Sequence, residues 1–219
     1  ASQGEGLGNK FLANIRETDA IIYVLRCFDN DDVTHVSGKV DPIADFEVVE
    51  TELMLADLES LEKRKANVIK KANSGDKEAK AQVALIDLAL DQLKEGQPAR
   101  RAEIPKDDVK AWNMLQLLTS KPVLFVANVD EASAATGNDY SRRVEERAKQ
   151  EGAGCVVISA QIESEIAVLE EPDKTEFLET LGLEEPGLAR LIHAGYDLLG
   201  LQTYFTVGPK EARAWTIRK

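Results

Sequence analysis

Two short polar segments sit where an α/β protein presents its chemistry. Asn128-Val129-Asp130-Glu131 begins at the end of the apolar run PVLFVAN, and Ser159-Ala160-Gln161 begins at the end of CVVIS. In open parallel sheets, ligands bind at the carboxyl ends of the strands. An amide, a carboxylate and a small polar loop at that edge are therefore candidates for ligand contacts. Taken alone, the same residues also describe a capping Asn and a solvated Glu.

The two histidines differ in setting. His35 lies in the polar stretch DNDDVTHVSGKVD, residues 29 to 41, which is long enough to suggest function. Its imidazole could orient or deprotonate water near neutral pH; a solvated loop histidine is the plainer alternative. His193, in LIHAG, falls on a helical segment and reads as structural. Cys27 and Cys155 are far apart, form no C-x-x-C pair and lie in apolar runs, which predicts buried, reduced thiols. Glu163, Glu165, Glu170 and Glu171 have no residue to orient them and read as charged surface; Trp112 and Trp215 read as packing residues. Gly4-Glu5-Gly6-Leu7-Gly8 is a flexible stretch before a helix, and G-x-x-x-x-G-K-S/T occurs nowhere in the 219 residues. No set of metal ligands stands out.

The elements that would position these residues alternate. Residues 9–18 predict a short amphipathic helix with Phe11, Leu12 and Ile15 on one face. Residues 20–28 (AIIYVLRCF) predict a strand buried on both faces. Pro42 suits a first helical turn, with Asp41 as cap. Met54, Leu58, Leu61, Lys65 and Val68, and then Ala79, Val83, Ile86, Leu90 and Leu93, form two heptad seams. Gly75 and Asp76 end one helix and begin the next, so the two predict an antiparallel coiled-coil hairpin. Lys63, Arg64, Lys65, Lys70 and Lys71 place a basic strip on it: a solvated face, or an RNA contact. A helix over 106–119, a charged helix over 139–151 closed by Gly152, and helical segments around 162–169, 175–181 and 187–199 follow. The last stretch, 203–217, alternates around Gly208-Pro209 and reads as strands of a different, antiparallel domain.

This is the α/β order of an open parallel sheet with a helical insertion. The domain division expected is 1–41 and 105–199 for a nucleotide-type domain, 42–104 for the coiled coil and 200–219 for the start of another domain. The net charge of −12 argues against a generic nucleic-acid coat, though not against a local basic patch. No apolar run approaches the roughly 20 residues of a membrane helix, so no membrane role is expected. Cysteine usage and the lack of a signal peptide suggest a cytoplasmic protein. Ala1 in place of Met, and a close just after a strand-like run, are expected of an internal fragment.

Strand, N-x-x-acid, helix, strand, S-A resembles the base-recognition end of a P-loop GTPase, where the usual motifs are N-K-x-D and S-A-K. The wider run resembles the Obg-like ATPase family over essentially the whole chain. The residues that carry this are GEGLGNKFLANIRETDAIIYVLRCF, the THVSGK loop, the coiled coil, N-x-x-E and LIHAGYDLLGLQTYFTVGPKEARAWTI. The resemblance implies a P-loop NTPase domain, Rossmann-like, an inserted helical domain, and the start of a C-terminal TGS domain of β-grasp type. It implies hydrolysis of ATP, also of GTP, and binding to the ribosome, its large subunit, and to RNA, by a monomer with a regulatory role in translation or stress response. It places Asn128, Val129 and Glu131, with Ser159, Ala160 and Gln161, at the nucleotide base. It also gives His35 the part of orienting the attacking water. Val129 stands for the usual Lys and Glu131 for the usual Asp. The longer Glu no longer sits squarely under both guanine donors, and an unmet donor costs about 1–3 kcal/mol. The phosphate cradle and the Mg²⁺ ligands are expected before residue 1. Without that segment, apolar faces near Ile21–Leu25 and Val123–Val126 are expected to be exposed. The alternative to an enzyme is a non-catalytic coiled-coil module that binds RNA or protein.

Overall fold

The computed structural model describes residues 7–30 and 38–219. In chain order its elements are α1 (Leu7–Glu17), β1 (Ile21–Arg26), α2 (Pro42–Asn73), α3 (Lys77–Lys94), α4 (Val109–Asn113), β2 (Val123–Asn128), α5 (Asp139–Glu151) and β3 (Gly154–Ile158). Then come α6 (Ala160–Ile166), α7 (Glu171–Thr180), α8 (Gly187–Leu198), β4 (Leu201–Val207) and β5 (Ala212–Arg218). Two compact units result. One comprises the described part of Ala1–Asp19 with Glu47–Lys121, the other Ala20–Phe46 with Pro122–Lys219.

In the second unit, β1, β2 and β3 form a parallel sheet in that order. Asn128 is level with Arg26 on one side and Ile158 on the other, so the three carboxyl ends finish together. The continuous apolar run of β2 is needed because α5 and α8 both pack against the strand. Val123–Val126 are accordingly buried, which corrects the expectation that their face would be bare. On β1 the burial alternates: Tyr23 and Leu25 are buried, whereas Ile22 is 46% and Val24 63% exposed. Tyr23, Phe46 and Phe125 form an aromatic cluster with centroids 4.9–5.6 Å apart, and Arg147 lies over Phe46.

The helix α5 starts on a reciprocal cap. Asn138 Oδ1 accepts the Ser141 N–H at 3.0 Å, and Ser141 Oγ accepts the Asn138 N–H at 2.8 Å. Gly152, at φ 66°, ends it. Ala134, Ile162, Ile166 and Leu178 make a small core beneath α6 and α7. The strands β4 and β5 pair antiparallel, Leu201 to Arg218, around Gly208-Pro209. Trp215 is not a packing residue here: it is 43% exposed, and its Nε1 donates to Thr206 Oγ1 at 2.9 Å.

In the first unit, α2 continues to Asn73, Gly75 turns the chain at φ 100°, and Asp76 caps α3 through the Ala79 N–H at 3.0 Å. Leu61 of α2 lies in one core with Leu85, Ile86, Leu90 and Leu93 of α3. Met54 and Leu58 pack on it. Lys65, in the same seam, instead pairs with Asp87 of α3 at 2.5 Å. Phe11 is exposed, against expectation.

The helix expected over 106–119 is cut to a 3-10 turn, Lys106–Asp108, and the five residues of α4. Side chains from elsewhere in the unit take its backbone groups. Asp57, fully buried, accepts the N–H groups of Leu118 and Thr119 at 2.9 and 2.8 Å and the Thr119 hydroxyl at 2.8 Å. Arg64 and Arg16 donate to the carbonyls of Leu115 and Gln116 at 2.9 and 2.8 Å. Gln116, at φ 52°, turns the chain between them. Burial raises the Asp57 carboxyl above its ordinary value, and the three hydrogen bonds and Arg16 offset part of that.

Candidate functional site at the carboxyl ends of the parallel strands

The last residue of β2 ties the two predicted loops together. Asn128 Oδ1 accepts the backbone N–H of Ala160, the first residue of α6, at 2.9 Å. One residue on, the Val129 N–H donates to the Ile158 carbonyl at 2.8 Å. The Val129 side chain is buried, 2% exposed, and so offers nothing to a ligand. Asp130 is also committed: its Oδ1 accepts the Ser133 N–H at 2.8 Å and caps the 3-10 turn Glu131–Ser133. Glu131 is exposed, and its carboxylate has no hydrogen bond or ion pair among the described residues. Of the two acids in the loop, it is the one with acceptor capacity to spare.

In the second loop, Ser159 is buried and its hydroxyl has no partner among the described residues. Ala160 and Gln161 are exposed. The Ala160 N–H, expected at the edge of a base, is engaged by Asn128. Chemically, the rim combines a fixed amide whose Nδ2 remains available with an exposed carboxylate, which suits the polar edge of a heterocyclic base. Among the described residues, no group of three or more His, Cys, Asp or Glu side chains could hold a metal ion.

His35 lies outside the described residues. The stems on either side of its segment are held by α5. Tyr140 donates to Asp29 Oδ2 at 3.1 Å, and Arg143 donates to Asp41 Oδ1 at 2.9 Å. Asp41 also accepts the N–H groups of Ile43 and Ala44 at the start of α2, as its expected capping role requires. Slight burial works against the charged form of Asp41, and the hydrogen bonds and Arg143 overcome it and hold the carboxyl below its ordinary value.

Several positioning residues escaped the sequence reading. Asn138 Nδ2 donates to the Cys27 carbonyl at 2.7 Å, which ties the end of β1 to the start of α5; the Asn-x-x-Ser pattern was the available signal. Glu163, read as surface charge, instead accepts the N–H groups of Gly187 and Leu188 at 2.7 and 3.1 Å and caps α8. His193 is exposed on α8 and makes no hydrogen bond or ion pair among the described residues, in place of the packed position expected of a structural histidine. The cysteines are free thiols, as expected; burial pushes Cys27 up to about 12 and Cys155 up to about 11, so neither is a ready nucleophile.

A parallel sheet with its strands ending level is an α/β architecture shared with the P-loop GTPase class, and a solved structure agrees. The YchF GTPase of Schizosaccharomyces pombe superposes with a TM-score of 0.85 at 34% identity, over all of this chain and 60% of that one. In sequence, the chain is 53% identical over 217 residues to the ribosome-binding ATPase YchF of Haemophilus ducreyi, which covers 99% of this chain and 60% of that protein. It is 50% identical over 221 residues to the protein of that name from Bacillus subtilis, covering 100% and 60%. No family model matches the chain. The chain thus spans about 60% of the length of these relatives. It is homologous to YchF along its whole length, which is consistent with the Obg-like ATPase family.

Proposed function

We propose that these residues are the larger part of a ribosome-associated nucleotide hydrolase that uses ATP and also accepts GTP, in a regulatory role in translation or stress response. The observation that carries this reading is the Asn128–Ala160 link beside the exposed Glu131, in a chain 53% identical to a ribosome-binding ATPase. Asn128 and Glu131 meet the base edge, and Ser159, Ala160 and Gln161 back it. Val129 contributes packing under the loop rather than a contact. His35 orients the attacking water. The phosphate cradle and the Mg²⁺ ligands belong to a segment not among these 219 residues.

The domain division that goes with this reading keeps 1–41 and 105–199 as the nucleotide-binding domain, 42–104 as an inserted antiparallel coiled coil and 200–219 as the first hairpin of a TGS domain. The exposed Phe205 and Val207 of β4, at 74% and 82%, favour the last point, since further strands would cover them. The protein works as a monomer in the cytoplasm. Among the described residues, no helix is long and apolar enough to cross a membrane.

Taken alone, the 219 residues are expected to bind ATP barely and to hydrolyse none. The base rim offers a few hydrogen bonds of about 0.5–1.5 kcal/mol each, against an association cost of at least about 4 kcal/mol. A polypeptide extended to the length of its YchF relatives should hydrolyse ATP and sediment with ribosomes. Hydrolysis at the uncatalysed rate by that extended polypeptide would leave the alternative, a coiled-coil module that binds RNA or protein. Within the extended polypeptide, His35→Ala should slow single-turnover hydrolysis while nucleotide affinity stays within a few-fold. An unchanged rate would return His35 to a solvated loop.

A further inference from the structure

One buried residue holds both ends of the loop that carries Glu131. Just past the end of β1, the Cys27 N–H donates to the Asn128 carbonyl at 2.7 Å. The Cys27 carbonyl accepts from Asn138 Nδ2, also at 2.7 Å. Residues 129–137 therefore leave from and return to the same point on β1. Cys27 is fully buried, so water does not replace a donor lost at its carbonyl. The loop is also tied within itself. Asp130 caps the turn Glu131–Ser133, the Ser133 carbonyl accepts the Gly137 N–H at 2.7 Å, and Ala134 is buried against Ile162 and Ile166. A loop so tied sits where its ends are fastened.

The return contact depends on one side chain, and its type is informative. Asn138 caps α5 by accepting the Ser141 N–H at Oδ1. An Asp or a Ser would cap the helix equally well, but neither has the N–H that Asn138 gives to Cys27. With Oδ1 committed to Ser141, Nδ2 faces the Cys27 carbonyl and lies 3.5 Å from Ser133 Oγ, so both ends of one amide are used.

We propose that Asn138 is a positioning residue for nucleotide binding: by fastening the loop to Cys27, it sets the Glu131 carboxylate against the Asn128 amide. The inference deepens the nucleotide-hydrolase reading, on which it rests, by naming what holds the base edge in shape. Asn138 itself touches no ligand. Two groups that meet one planar base edge need a fixed separation, because a hydrogen bond weakens steeply as its angle closes. The Cys27 contacts supply it before a ligand arrives. A loop closed in advance has no closure entropy to lose on binding. Released at residue 138, the loop would have to be ordered by the nucleotide, and affinity would fall by that amount. The effect belongs to binding, not to the chemical step, since Asn138 reaches neither phosphate nor water through Cys27.

The test uses the polypeptide extended to the length of its YchF relatives, with ATP affinity read by isothermal titration. Asn138→Asp and Asn138→Ser keep an oxygen for the α5 cap and remove the N–H, so helix content by circular dichroism should hold. ATP affinity should fall about two- to tenfold, the loss of one hydrogen bond. KM should rise by the same factor, with kcat at saturating ATP unchanged. Ser141→Ala is the converse control. It removes the other half of the cap, Ser141 Oγ on the Asn138 N–H at 2.8 Å, and leaves the Cys27 contact in place. It should lower the urea midpoint without changing ATP affinity. In a Glu131→Ala background, Asn138→Ser should weaken ATP binding less than it does alone. Unchanged affinity in both Asn138 variants would overturn the proposal. Losses in all three variants that follow the urea midpoint would do the same, because Asn138 would then only stabilise α5. A fully additive loss with Glu131→Ala also sinks it, since Asn138 would not act through Glu131. If the wild type binds no nucleotide, this proposal and the hydrolase reading fall together. If it binds ATP with the expected variant losses but hydrolyses none, the hydrolase reading falls and this one stands.

Discussion

Asn128 and Ala160 are joined by one hydrogen bond across two strand ends, from the Ala160 N–H to Asn128 Oδ1 at 2.9 Å. The bond fixes the amide and leaves Nδ2 without a partner among the described residues, and it makes one loop depend on the other. Asn128→Ala should therefore cost about 0.5–1.5 kcal/mol locally and speed hydrogen exchange at the Ala160 amide. Asn128→Asp separates the two parts of its role. The carboxylate still accepts from Ala160, so amide protection should persist, while nucleotide affinity of the extended polypeptide should fall. Equal loss of protection in both variants would mean that the bond does not organise the rim.

Base choice should respond to Glu131 alone. In the extended polypeptide, Glu131→Asp shortens the acid by one methylene and should raise GTP affinity relative to ATP, read by isothermal titration. The other half of a change to N-K-x-D, Val129→Lys, is a poor test. Val129 is 2% exposed, and an unpaired lysine there would be buried at a cost of several kcal/mol. An ATP:GTP ratio unmoved by Glu131→Asp would remove Glu131 from the base edge.

What was legible in the sequence follows from periodicity and turn chemistry. The apolar runs of β1, β2 and β3, the seam from Leu61 to Leu93 and the caps at Asp41, Asp76 and Gly152 are local patterns, and each appears in its place. Long-range side-chain bonds were not legible. Asp57 lies 61 residues from Leu118, and only their meeting explains why the pattern of 106–119 fails to make a long helix. Glu163 looked like surface charge because its partners are backbone N–H groups at Gly187 and Leu188, which no sequence pattern marks. At the candidate site the positions of Asn128 and Glu131 at a strand end were readable. The burial of Val129 and the capture of the Ala160 N–H were not, since both depend on how β3 pairs with β2.

Gly187, at the start of α8, lies close against Ile158 of β3. A Cβ there would lie 2.8 Å from Ile158 Cγ2 and 2.9 Å from Glu163 Oε1. Gly187→Ala should cost about 1–3 kcal/mol by overpacking and disturb the Glu163 cap at the same time. Urea unfolding should show a lower midpoint with an unchanged slope. Gly195→Ala, on the same helix with no atom within 4 Å of its Cβ position, should not destabilise. Similar losses at both positions would mean that the close contacts of Gly187 are not the cause, since helix propensity favours Ala at each.

Asp57 provides the pH-dependent prediction. Burial raises its carboxyl in the folded chain, so the folded state binds this proton more tightly than the unfolded one. The stability linked to that proton is fully present below the ordinary carboxylate value, where both states are protonated. It is lost as pH rises through the higher folded value. Asn is the nearest neutral analogue, but it cannot accept from the Leu118 N–H on one oxygen and both Thr119 donors on the other. Asp57→Asn should therefore destabilise the chain by about 1–3 kcal/mol at neutral pH. The stability of the wild-type chain relative to Asp57→Asn should decline as pH climbs through that window and then level off. Taking the difference between the two chains cancels carboxylates with the opposite behaviour, such as Asp41 and Glu59, whose folded values are lowered. Urea unfolding of both chains at several pH values measures it. A difference that grows with pH would show that the hydrogen bonds to Leu118 and Thr119 outweigh burial, and that Asp57 folds as a favoured anion.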